Sequence, residues 1–354
     1  MSLSIGIVGL PNVGKTTLFT ALTGKPAEAA AYAFSTIEPN VGVVPVPDPR
    51  LDRLAELVHP GRIVPATIEF VDIAGLARGA NEGEGMGNKF LAVIRETDAI
   101  VEVVRYFTDP NVVHPAGPID PSADMRTLDT ELVLADLGTM EKALVRLEKE
   151  AKRDKAVEAK LEVARRVNAW MEDGQRALLM AMTDAQKALL YDLHLLTMKP
   201  ILYVANVDET DVAADLPEID GVSPMPICAK VESELVGLEP DEVGEYLQEL
   251  GLAERGLDRL VRRAYALLGL QSFFTAGEME VRAWTVRIGA KAPEAAGVIH
   301  SDFERGFIKA ETIAYAEYDR LCSEAAAKAA GKLRIEGKEY VVQDGDVMHF
   351  RFNV

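Results

Sequence analysis

The first residues that could do chemistry are Gly9-Leu10-Pro11-Asn12-Val13-Gly14-Lys15-Thr16, a complete GxxxxGK[ST] pattern directly after a short apolar run. Its spacing suits a triphosphate. The backbone N–H groups of such a loop wrap the anion, and the helix that follows points its positive end at it. Lys15 would reach the β- and γ-phosphates, and the Thr16 hydroxyl is a hard oxygen ligand of the kind magnesium takes. Asn12, Val13, Gly14, Lys15, Thr16 and Thr17 are the expected phosphate-binding residues.

Asp72-Ile73-Ala74-Gly75 follows a second strand-like run, as the DxxG switch of P-loop GTPases does. Asp72 would hold magnesium through water, and the Gly75 N–H would sense the γ-phosphate. Thr36, in Phe34-Ser35-Thr36-Ile37-Glu38-Pro39-Asn40, is the natural second hydroxyl ligand to magnesium. Gly79, Gly83, Gly85 and Gly87 give the next segment the freedom of a switch that orders around nucleotide.

Two departures from the standard GTPase pattern matter more than these matches. Leu76 stands where a water-orienting Gln is usual, and an apolar side chain cannot hydrogen-bond the attacking water, so hydrolysis needs another group or is slow. The base-recognition element, usually NKxD, is Asn206-Val207-Asp208-Glu209. The Asp of the usual motif pairs with guanine N–H groups and its Lys stem packs on the ring. Here Glu209 is a methylene longer and Val207 replaces the Lys. Polar pairing of this kind can be worth ~10⁴-fold in discrimination, so its alteration favours adenine. Cys228-Ala229-Lys230 stands where a second loop would contact the base.

Together these residues resemble those of the Obg-like ATPase (YchF) subfamily of the translation-factor class of P-loop GTPases. The likeness runs through Leu10 to Lys15, Thr36 to Asn40, Asp72 to Leu76 and Asn206 to Glu209. It continues in Gly85-Met86-Gly87-Asn88-Lys89-Phe90, Arg95-Glu96-Thr97-Asp98-Ala99, Phe273-Phe274-Thr275-Ala276-Gly277 and Val281-Arg282-Ala283-Trp284-Thr285, and so covers essentially the whole chain. Ala33 departs from it, standing where the family usually has proline. The resemblance implies a nucleotide-binding domain with a coiled-coil insert and a C-terminal TGS module of β-grasp fold. It implies ATPase activity that can exceed GTPase activity, magnesium dependence and association with ribosomes. It implies further that Phe107 and Val207 flank the adenine, that Asn206 contacts it, and that His114 supplies the missing catalytic group. A histidine can orient or deprotonate water near neutral pH. Read from the residues alone, Phe107 could equally be a core aromatic after a strand, and His114 a solvated loop histidine. His59, His194, His300 and His349 form no metal-ligand spacing.

The elements that must position these groups form an α/β pattern. Leu3–Val8, Thr67–Val71, Ala99–Val104 and Ile201–Ala205 are short, Val- and Ile-rich runs of the kind buried in parallel sheets, with helical stretches between them. The expected core is a doubly wound P-loop domain. Leu137, Met140, Leu144, Leu147 and Ala151 alternate spacings of 3 and 4, as in a coiled-coil seam. Lys152-Arg153-Asp154-Lys155 follows, and then a second helical pattern through Val157, Leu161, Ala164 and Met171, so an inserted antiparallel hairpin is expected. Near the C-terminus, Val281–Val286, Glu339–Val342 and Val347–Phe352 read as strands and Asp302–Tyr318 as a helix, a small α+β module. The expected divisions are 1–130 and 199–271 for the nucleotide-binding domain, 131–198 for the insert and 272–354 for the TGS module.

Composition bounds the remainder. The chain has 354 residues, 48% hydrophobic and 27% charged, which excludes wholesale disorder. Two cysteines, Cys228 and Cys322, exclude a disulfide scaffold. No run approaches the ~18 apolar residues of a membrane span, and the N-terminus has no signal-peptide pattern, so a cytoplasmic protein is expected. The net charge of −18 argues against DNA, but it is uneven. Asn206–Asp258 carries 15 acidic and 2 basic residues, whereas Glu141–Arg176 carries 10 basic and 8 acidic. An RNA-facing insert is compatible with that distribution. The expected protein is a monomeric, magnesium-dependent ATPase switch that docks on the ribosome. A GTPase of the same fold and a nucleotide-gated binding module with negligible hydrolysis remain the alternatives, and a small-molecule kinase fits the switch elements poorly.

Overall fold

The computed structural model describes residues 3–24, 40–73 and 86–353. In chain order its strands are β1 (Ser4–Val8), β2 (Asn40–Pro45), β3 (Ile63–Val64), β4 (Thr67–Asp72), β5 (Ala99–Arg105), β6 (Ile201–Asn206) and β7 (Met225–Ile227). Five follow, β8 (Leu270–Ala276), β9 (Val281–Arg287), β10 (Phe307–Ala314), β11 (Arg334–Glu336) and β12 (Asp346–Phe352). The helices are α1 (Lys15–Thr23), α2 (Pro49–Val58), α3 (Met86–Glu96), α4 (Pro121–Ala151), α5 (Glu158–Glu172), α6 (Asp184–Leu189) and α7 (Ala229–Glu234). They continue as α8 (Pro240–Glu249), α9 (Gly256–Leu267), α10 (Ala292–Ile299), α11 (Ser301–Arg305), α12 (Tyr315–Leu321) and α13 (Glu324–Ala329). The chain divides into two units, Met1–Gly42 with Glu69–Arg259, and Val43–Ile68 with Leu260–Val354.

The first unit is built on a sheet of order β2-β4-β1-β5-β6-β7, in which β4, β1, β5, β6 and β7 run parallel. Every residue of β5 is buried, as expected for a parallel strand covered on both faces. β1 pairs with β4 on one side and β5 on the other, so the strand order reverses around it. In open α/β sheets that reversal opens a crevice at the carboxyl ends of the strands, where ligands bind. The loop from Gly9 to Gly14 leaves β1 at that end.

α4 is one continuous helix of 31 residues. The Asp120 carboxylate accepts from the Ala123 N–H and Pro121 opens the first turn, a combination that starts helices firmly. The expected division at 130/131 therefore falls inside a helix. Early in α4, Met125 clusters with Val104 and Tyr203. Further along, Val133, Met140, Ala143 and Leu147 join Leu161, Ala164, Val167 and Met171 of α5, and Ala177, Leu190 and Leu193 widen that cluster beyond a two-helix seam. Of the expected seam, Met140 and Leu147 are buried, while Leu137, Leu144 and Ala151 are half-buried.

The second unit carries a mixed sheet, β11-β10-β12-β8-β9-β3, with Phe273, Val286, Ala295, Phe307 and Phe350 among the residues of its core. Residues 43–68 belong here and not with the nucleotide-binding segment expected for 1–130. β3 pairs with β9, and α2 buries Leu51, Leu54 and Ala55. Arg50 bonds Asp344 at 2.8 Å and lies 5.3 Å from the Phe274 ring centre, and Arg53 bonds Asp319 at 2.7 Å. Exposed ion pairs contribute only ~0–1 kcal/mol each, so strand pairing and apolar burial hold this segment in place.

Two local expectations fail in this unit. Within the stretch read as helical from Asp302 to Tyr318, Phe307–Ala314 is the strand β10, paired antiparallel with β12 from Phe307↔Phe352 to Ala314↔Asp346. Its β-branched Ile308, Thr312 and Ile313 favour extended backbone, and the long pairing overrides local helix preference. Glu339–Val342 is not a strand and makes only the isolated bridge Lys291↔Val341.

Candidate functional site

Gly14 caps α1 with φ 88°, and a Cβ there would overlap the Asn206 amide nitrogen. Gly9 is constrained equally, because a Cβ would stand 2.7 Å from the Val103 carbonyl oxygen. Both positions need glycine. Asn12, at φ 65°, turns its side chain so that Nδ2 donates to the Val113 carbonyl at 3.0 Å. Lys15 is buried and ion-paired with Asp72, so the two residues expected to meet phosphate and magnesium stand side by side. Thr16 and Thr17 are exposed on the first turn of α1. Among the described residues no three His, Cys, Asp or Glu side chains cluster as a metal site. Magnesium in phosphate sites takes one or two protein oxygens plus the substrate's own, and the Thr16 hydroxyl and Asp72 carboxylate are a donor set of that kind. Thr36, Gly75, Leu76 and the glycines 79–85 lie outside the described residues.

Beside the phosphate loop is a cavity of about 770 Å³, lined by Gly14, Thr17, Phe107, Asn206, Val207, Glu209, Cys228, Lys230 and their neighbours. Asn206 ties its walls together. Its Nδ2 donates to the Val13 carbonyl at 2.8 Å, and its Oδ1 accepts from the Ala229 N–H at 2.9 Å. Each end of the amide has one further hydrogen-bonding position. Val207 is buried against the cavity and Glu209 is exposed at its rim. Asp208 is engaged elsewhere, because its Oδ2 accepts from both the N–H and the hydroxyl of Thr108, each at 3.0 Å. Burial pushes the Cys228 thiol above its ordinary pKa, so it is an inert wall of the cavity.

His114 is not the solvated loop residue the residue types allowed. Its side chain is 3% exposed, and Nε2 lies 2.9 Å from Oδ2 of Asp124 in the first turns of α4. The Ala116 N–H meets Nδ1 at 3.3 Å, which assigns Nδ1 as acceptor and Nε2 as donor. Both ring nitrogens are thus occupied, and neither is offered to a water over the phosphate loop. Burial raises the Asp124 pKa, opposed by the hydrogen bond from His114. What does reach the phosphate loop is the preceding residue, since Val113 takes the hydrogen bond from Asn12.

The structure thus brings together Asn12, Val13, Gly14, Lys15, Thr16, Thr17, Asp72, Phe107, Asn206, Val207 and Glu209, with His114 adjacent but turned away. Three contributors were not read from the sequence: Asp124, Asp208 and Arg105, the last a fully buried cation at the end of β5. Only Arg105 carried a usable signal, a charge at the end of a strand whose other residues are apolar except Glu102.

The loop, the paired acid and the switch-point sheet define a P-loop nucleotide-binding protein of GTPase fold. Residues 4–134 match a family model described as a 50S ribosome-binding GTPase, and residues 270–353 match the YchF-GTPase C-terminal model, described as a protein of unknown function (DUF933). The chain belongs to the YchF family. It is 53% identical over 366 residues to the ribosome-binding ATPase YchF of Bacillus subtilis (strain 168), and 50% identical over 363 residues to that of Escherichia coli O157:H7, each comparison spanning both chains in full. The solved structure of the Schizosaccharomyces pombe YchF GTPase superposes with a TM-score of 0.87 at 36% identity, covering 99% of this chain and 98% of that one. Among the described residues, no helix is long and apolar enough to cross a membrane.

Proposed function

We propose that the protein is a slow, magnesium-dependent ATPase switch, with ATP preferred over GTP, that associates with the ribosome according to its nucleotide state. The observation that carries the base preference is the cavity wall. Glu209, at the position of the guanine-pairing Asp, is a methylene longer and stands exposed at the cavity rim, Val207 stands where a lysine stem would pack, and the neighbouring Asp208 is held by Thr108. The guanine-pairing geometry of the usual motif is therefore altered, and Phe107 with Val207 suits a flat adenine. Lys15 would hold the phosphates, and Thr16, Thr36 and Asp72 would hold magnesium, which supplies charge neutralisation at the β- and γ-phosphates. His114 would orient the attacking water, in place of the side chain Leu76 cannot supply, once it leaves Asp124. The helical insert, with Lys152, Arg153 and Lys155 exposed at its end, and the C-terminal module, read as a TGS domain of β-grasp fold, would supply the ribosome-facing surfaces. The relatives named ribosome-binding ATPase support that assignment.

The deciding experiment is a calorimetric titration of nucleotide-free protein with ATP and with GTP in the presence of magnesium. Tighter ATP binding is expected. Clearly tighter GTP binding would overturn the base assignment and make the protein a GTPase on the same site.

A further inference from the structure

Arg105 is 1% exposed, and its guanidinium is committed to main-chain carbonyls. Nε donates to Phe107 O at 3.2 Å, one Nη to Val112 O at 2.9 Å and the other to Asp109 O at 3.2 Å. The same group lies 4.3 Å from the centre of the Phe107 ring, within cation–π range. Burying a charge is unfavourable unless its donors are fully matched, and for stability alone an apolar residue of similar volume does as well or better. Only arginine has the planar fork to gather three carbonyls of one loop; a lysine ammonium is a point charge.

The segment so gathered begins at the base and ends at the phosphates. Phe107 lines the base cavity, and Thr108 is bound to Asp208 on the facing wall. Val112 precedes Val113, whose carbonyl takes the hydrogen bond from Asn12 of the phosphate loop, and His114 follows directly. We infer that Arg105 is a positioning residue for hydrolysis, holding residues 107–113 as one preformed arc that presents Phe107 to the base and fixes the Val113 carbonyl, next in the chain to His114, against the phosphate loop. The inference rests on the reading of this site as an ATP hydrolase that uses Phe107 and His114.

The test is steady-state hydrolysis of ATP and GTP by full-length Arg105→Lys, with Phe107→Ala and His114→Ala measured alongside. In Arg105→Lys with an unchanged circular dichroism spectrum, KM for ATP is expected to rise and kcat to fall, each by ~10-fold, the scale of a loop displaced by a fraction of an ångström. The ATP/GTP ratio should drop to that of Phe107→Ala, and the double variant should discriminate no worse than Phe107→Ala, because the two changes act through one ring. A loss of global stability alone would not move that ratio. A folded Arg105→Lys with wild-type kcat, KM and ratio, beside defective Phe107→Ala and His114→Ala, overturns the inference and leaves the hydrolase reading standing. If Phe107→Ala and His114→Ala are themselves silent, the hydrolase reading falls and the inference with it. Should Arg105→Lys not fold, hydrogen exchange on the wild-type protein decides. Slow exchange at the Thr108, Asn111 and Val112 amides before nucleotide is added supports the preformed arc; rapid exchange that slows only with nucleotide refutes it.

Discussion

If the contact between His114 and Asp124 is a resting position, weakening it should speed the enzyme. Asp124→Asn keeps the shape and an acceptor but removes the charge. A hydrogen bond to a charged group contributes ~1.5–3 kcal/mol, and one between neutral groups ~0.5–1.5 kcal/mol. The change therefore costs the pair about 1 kcal/mol, and ~5-fold more His114 should be free at any moment. Both side chains are 5% exposed or less, so solvent screening does little to shrink that figure. Part of it is offset because burial already raises the Asp124 pKa and so weakens its hold. Under single-turnover conditions at saturating ATP and magnesium, the hydrolysis rate should rise by up to ~5-fold with ATP affinity unchanged, since Asp124 is not among the residues lining the cavity beside the phosphate loop. Adding His114→Ala should abolish the gain. A fall in rate for Asp124→Asn would refute the reasoning, because it would mean that the carboxylate orients His114 during the reaction and does not restrain it before.

Glu102 is fully buried in β5 with neither oxygen hydrogen-bonded, and burial, with Asp129 second, raises its pKa well above the carboxylate range. The native state holds that proton more tightly than the unfolded chain, so stability should fall as pH rises from the ordinary carboxylate range, by ~1.4 kcal/mol per unit until the native group titrates. Denaturation midpoints of Glu102→Gln against pH should lack that slope; parallel profiles would show that Glu102 stays ionised in the fold. Gly14→Ala places a Cβ against Asn206 at φ 88°, a backbone strain of ~1–3 kcal/mol. Calorimetry should then find ATP affinity at least ~10-fold lower, and wild-type affinity would mean the loop relaxes without cost. Replacing Lys152, Arg153 and Lys155 by alanine should weaken ribosome pelleting and flatten its salt dependence, by about one unit of log–log slope per lost phosphate contact. An unaltered slope would move the contact to another surface.

The phosphate loop could be read from the sequence because its eight residues are contiguous and their conformation is set by local glycine requirements. Lys15 and Asp72 were each legible from their motifs, but their pairing was not, because it depends on β1 and β4 lying side by side in one parallel sheet. The surroundings of His114 were not. Its partner lies ten residues on, across the start of a helix, and only the folded chain shows that both are buried. Residues 43–68 were assigned by proximity in sequence to the phosphate loop, yet Arg50 reaches Asp344 across 294 positions. Nothing local to α2 announces that pairing. Phe307–Ala314 shows the same limit, because seven cross-strand partners outweighed a helical neighbourhood.

α4 begins beside His114 and ends at the turn into α5 without interruption. From Asp124 to Ala151 it spans ~40 Å at 1.5 Å per residue. Any macromolecule whose grip on that turn biased the helix away from His114 would draw the histidine free, and coupling of this sort is reciprocal. A bound nucleotide that drew His114 from Asp124 would then tighten that distant grip by the same factor.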